Sequence, residues 1–93
     1  MPCVRVCFFS LLMANCDKIR SKAENSPNNL SFVELCELAA CYGWEYRRQN
    51  GSHQIFENIA LLPEDGRFQN FQNVKSKAKP YQVKQLLKAI KLL

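Results

Sequence analysis

Apolar side chains recur at helical spacing in two stretches of this chain, and the segment between them has the shorter period of strands. Phe32, Leu35, Leu38, Ala39 and Tyr42 make the first helical stripe. Ser31 and Glu34 stand at its start as a capping box, in which each side chain satisfies a backbone N–H left open by the first turn. Gly43 stands where a left-handed C-terminal cap is expected. Val83, Leu86, Leu87 and Ile90 make the second stripe, with Lys84, Lys88 and Lys91 on a different face. Pro80 suits the first turn of that helix, where its missing N–H costs nothing. A weaker helical segment covers residues 15–25, with Cys16, Ile19 and Ala23 loosely on one side, and Ser26-Pro27-Asn28-Asn29 breaks the chain after it.

Between the stripes, Trp44 to Gln49 reads as a strand, Asn50-Gly51 as a two-residue hairpin turn and His53 to Asn58 as the returning strand. Ile55 and Phe56 fall on opposite faces. Pro63-Glu64-Asp65-Gly66 is a further turn, and Phe68 to Asn73 a third strand whose alternation is imperfect. The expected class is α+β. A three-stranded antiparallel sheet must cover one face, and the two amphipathic helices can do so. The order is the α-β-β-β-α of double-stranded-RNA-binding domains, preceded by a short leader helix. Residues 1–12 are expected to lie outside the functional domain, 13–29 to be leader helix and turn, and 30–93 to be the main domain. Val4 to Leu12 is too short to span a membrane, which takes roughly 20 apolar residues. Met13, which opens a more polar sequence, is an alternative start.

Charge adds a direction. After Asp65 the chain has no acidic residue but carries Arg67, Lys75, Lys77, Lys79, Lys84, Lys88 and Lys91. A one-signed region attracts polyanions, nucleic acid first among them, although a solvated face that keeps the protein soluble has the same composition. The five cysteines are odd in number and form no CxxC pair, and the single histidine is distant from them in sequence. That argues against a secreted disulfide framework and against a zinc site. Reduced thiols in the cytoplasm are expected, with Cys36 in a helix core.

Gly51-Ser52-His53 is the candidate for chemistry. His53 has the only side chain whose ordinary titration range is near neutral pH, and it begins a strand beside a turn. It could take a proton from a 2′-hydroxyl or give one to a leaving oxygen if cations hold the phosphate. A hydrogen-bonded structural histidine is the plainer reading. Ser52 and His53 are not a nucleophile–base pair, because neighbours on a strand face opposite ways. For the same reason only one of Arg47 and Arg48 is expected on the face of His53. Lys75, Lys77 and Lys79, spaced by small residues, suit phosphate contacts or a flexible solvated loop. Trp44, Tyr46 and Tyr81 could stack on unpaired bases, with Trp44 expected in the core.

The segments SFVELCELAACYGWEYRRQNGSHQIF and KAKPYQVKQLLKAI, at their spacing, resemble the HicA family of type II toxin–antitoxin toxins. The likeness covers residues 31–90. It implies a double-stranded-RNA-binding-like fold and an mRNA interferase, an endoribonuclease that blocks translation. It also implies His53 as the catalytic residue, with Gly51 and Ser52 completing its motif. RNA binding by Arg47, Arg48, Lys75, Lys77, Lys79 and Lys84, no cofactor and no metal complete the expected site. An HicB-type antitoxin is the partner implied. Many family members carry a second histidine after the motif, where this chain has Gln54, and the closing segment matches a subgroup. A non-catalytic RNA-binding module, or a decayed toxin acting as an interaction protein, are the alternatives.

Overall fold

The computed structural model describes residues 11–93, with side chains from Cys16 onward. Helix α1 (Leu11–Asn25) starts about one turn earlier than its apolar pattern indicates. A 3-10 turn (Pro27–Asn29) leads to helix α2 (Phe32–Cys41). Strands β1 (Glu45–Asn50), β2 (His53–Glu57) and β3 (Phe68–Gln72) follow, and helix α3 (Pro80–Ile90) closes the chain. The sheet is antiparallel in the order β1-β2-β3, so both neighbouring pairs are sequential hairpins. The α+β class and the α-β-β-β-α order are as expected.

Local chemistry explains the element ends. Both halves of the capping box form: Glu34 N–H donates to Ser31 Oγ at 3.0 Å, and Ser31 N–H to Glu34 Oε1 at 3.0 Å. Gly43 leaves α2 at φ +104°, a conformation that side chains rarely adopt. Pro80 occupies the first turn of α3.

The helices cover one face of the sheet. Leu35, Leu38, Val83 and Leu86 are fully buried against Phe56 and Phe71, which stand 5.1 Å apart centre to centre. Trp44 is in this core as expected, and its indole N–H is shared between the carbonyls of Gly66 and Arg67 at 3.1 and 3.2 Å. Gln69, opposite Phe56, is also buried, which is why β3 alternates imperfectly in sequence but cleanly in burial. Its amide donates to Gly66 O at 3.0 Å, so the buried polar group is satisfied.

Three expectations need correction. Cys16 and Cys41 are joined as a disulfide that ties α1 to the end of α2, where reduced thiols were expected. The sequence separation of 25 concealed the pair, because only packing of α1 along α2 brings the two together. Cys36 is buried in the core, as anticipated. The first hairpin is shifted by one residue: Asn50 pairs with His53, so its two-residue loop is Gly51-Ser52. Only Gly51 of that pair has positive φ (65°), as in turns with glycine first. The third correction concerns Arg47 and Arg48 and is given with the site below. The expectation for residues 1–12 falls largely outside the described residues. Ile19 and Ala23 of α1 belong to the same core as the elements from residue 30 onward.

Candidate active site

The uncovered face of the sheet carries His53. Register pairs Ile55 with Asn70 and His53 with Gln72, so these side chains share one face while Phe56, Gln69 and Phe71 occupy the other. His53 is half-buried, and its Nδ1 lies 2.7 Å from Asn70 Oδ1. Beside this pair Arg48, Ile55, Phe68 and Asn70 line a shallow concavity of about 350 Å³. Phe68 is 54% exposed there, with the Arg67 guanidinium 5.8 Å from the centre of its ring.

Arg47 and Arg48 both reach this face, contrary to simple alternation. The register of β1 slips between Tyr46 and Arg48, so a bulge at Arg47 adds a residue and resets the faces. The two arginines have different fates. Arg47 donates to Glu57 Oε1 at 3.0 Å and to Glu45 Oε1 at 3.2 Å. Arg67 takes the other Glu57 oxygen at 2.7 Å. Hydrogen bonds from Arg67 and then Arg47 hold the Glu57 carboxyl below the usual carboxylate range. Arg48 is exposed and has no carboxylate partner among the described residues.

The basic segment is an ordered turn. Val74 and Lys77 exchange two backbone hydrogen bonds of 3.0 Å, with Lys75 and Ser76 at φ 52° and 69° between them. Two successive residues of positive φ without glycine are costly, on the order of 1 kcal/mol each, and are held by surrounding bonds. Ser76 N–H donates to Asn73 Oδ1 at 2.7 Å, and Ser76 O accepts from Phe32 N–H at 2.9 Å. The turn is also tied to the glycine–serine loop: Asn73 N–H donates to Ser52 O at 3.4 Å and Gln72 Nε2 to Ser52 Oγ at 3.3 Å. Lys75 and Lys77 are exposed on this turn, next to the end of the sheet that bears His53.

Lys79 is half-buried, with its ammonium 5.9 Å from the centre of the exposed Tyr81 ring. Tyr46 packs edge-on against Phe56 at 5.8 Å and so faces the core. Lys84 is not brought to the site. It lies on the helical layer, in a groove shared with Glu24, Leu87, Lys88 and Lys91.

Sequence reasoning missed Asn70, because its relation to His53 depends on the β2–β3 register. It also missed Gln82, buried beneath the site, whose Oε1 accepts from Gln72 N–H at 2.9 Å and fixes α3 against β3. Among the described residues no three His, Cys, Asp or Glu side chains cluster as a metal site. No described helix is long and apolar enough to cross a membrane. A family model described as HicA toxin of bacterial toxin-antitoxin matches residues 33–92. No curated protein and no solved structure matches the chain.

Proposed function

Since the chain belongs to the HicA toxin family, we propose that it is a metal-independent endoribonuclease that cleaves mRNA with His53 as its one catalytic side chain and is held in check by an HicB-type antitoxin. Membership carries the general terms: a toxin-type ribonuclease, an RNA substrate and a cognate antitoxin. The finer reading is carried by one observation. A half-buried histidine on an open sheet face adjoins an ordered lysine turn linked through Asn73 to the histidine's own loop.

The chemistry uses a nucleophile that the substrate brings. His53 takes the proton of a ribose 2′-hydroxyl, and the 2′-oxygen attacks the adjacent phosphorus. The bond from phosphorus to the 5′-oxygen breaks, leaving a 2′,3′-cyclic phosphate and a 5′-hydroxyl whose proton comes from water or a lysine. Arg48, unpaired with carboxylate, and Lys77 or Lys79 stabilise the charge that develops on phosphate. Lys75 and Lys77 hold the backbone on either side. Arg47, already engaged by two carboxylates, contributes less than Arg48. With mRNA as substrate the place of action is the cytoplasm.

The test is cleavage of RNA in the presence of a chelator, beside the same strand carrying 2′-deoxyribose at the cut positions. Cleavage of the first alone, with cyclic phosphate ends, is the expected result. Cleavage of both would contradict the 2′-hydroxyl mechanism. Binding of both with cleavage of neither would identify a non-catalytic RNA-binding module.

A further inference from the structure

We propose that Asn70 is a positioning residue that fixes the tautomer of His53 and leaves its Nε2 as the proton acceptor. The proposal rests on the reading of His53 as a general base. Asn70 Oδ1 lies 2.7 Å from His53 Nδ1. An amide oxygen accepts only, so at this distance Nδ1 carries the proton. The bond made by one ring nitrogen then decides the state of the other, and Nε2 keeps its lone pair.

Asn70 reaches the ring diagonally. It pairs with Ile55, two residues beyond His53 on β2, within the span of a cross-strand neighbour on one face. The chemistry of the residue suits the substrate. A carboxylate here would orient the ring equally well but would set a negative charge beside an RNA phosphate. A neutral amide orients the ring without that repulsion. Asn70 also lines the concavity with Arg48, so it joins the base to the cation that faces the phosphate.

The chain contains one histidine, so its imidazole signals are unambiguous. The experiment is nitrogen-15 NMR of the ring at about pH 8.5, above the ordinary histidine range, on wild type, Asn70→Ala and Asn70→Asp, each checked for folding and assayed on RNA. Asn70 is exposed, so neither substitution removes core packing. Wild type should show the proton on Nδ1. Asn70→Ala should move it towards Nε2 and lower cleavage by about tenfold, the low end for loss of an orienting partner. Asn70→Asp, which keeps an acceptor, should restore the Nδ1–H tautomer and part of the cleavage. A wild-type proton on Nε2, or an Asn70→Ala protein with unchanged tautomer or unchanged cleavage, would overturn the proposal. Failure of the underlying reading is distinct: a folded His53→Ala protein that still cleaves would remove the base itself, whatever tautomer the Asn70 series reports without RNA.

Discussion

Glu57 separates the two neighbouring arginines of β1. Its carboxylate binds Arg67 and Arg47 together, so Arg47 is neutralised, while Arg48 has no carboxylate partner among the described residues. Because its folded pKa is depressed, the ion pairs stabilise the fold fully above about pH 4.5, the ordinary value, and that contribution is lost as pH falls through the lowered one. Glu57→Gln should therefore flatten the acid dependence of unfolding free energy, measured by urea titration from about pH 5.5 to about pH 3. Identical pH slopes in wild type and variant would contradict it. The same substitution removes one of the two carboxylates that engage Arg47, leaving Glu45, and should tighten RNA binding modestly. This division could not be read from the sequence. Alternation puts Arg47 and Arg48 on opposite faces, and only the bulge, a product of strand pairing, brings both to one. His53 stood out as a candidate in the sequence because the Gly51-Ser52-His53 motif resembles a known family. Asn70 did not, because nothing local to FQNFQ says which residue of β2 it meets.

The elements were legible where the chain carries its own punctuation. The Ser31–Glu34 box, Gly43 and Pro80 each stand at a helix end as their chemistry requires. Ser31→Ala should cost about 1 kcal/mol in denaturant unfolding, the usual loss for a cap; a change within error would show that the box is not formed in solution. The first hairpin was foreseen but placed one residue early, since an asparagine–glycine pair and a glycine–serine pair both suit two-residue turns. The lysine turn was left open between a flexible loop and a phosphate contact. It adopts positive φ at Lys75 and Ser76, for which the sequence gives no glycine signal. Ser76→Gly should stabilise the protein by up to about 1 kcal/mol, because glycine relieves that conformation. Lys75→Ala and Lys77→Ala should each reduce the salt slope of RNA binding by about 0.7, the single-strand value per phosphate contact. An unchanged slope would remove those lysines from the RNA interface.

At the scale of the molecule, α1 is built into the domain. Ile19 and Ala23 share its core, Lys22 donates to Glu34 at 2.9 Å, and Cys16–Cys41 closes a loop on α2. A periodic pattern in residues 15–25 could show a helix but not its anchorage, which depends on contacts across the break at Pro27. Closing a loop of this length is worth about 3 kcal/mol through the unfolded chain. Reduction should lower the melting temperature by about 10 °C or more, and identical melting with and without reductant would contradict the cross-link. The helical layer thus supports a sheet whose other face carries His53, Arg48 and the lysine turn, the face proposed to meet RNA. That account is tested most directly by incubating purified wild type and His53→Ala with RNA in a chelator, with the fold of both verified by circular dichroism. Cleavage by wild type and none by the folded variant is the predicted result. Equal cleavage by the two, or none by either with RNA binding intact, would contradict it.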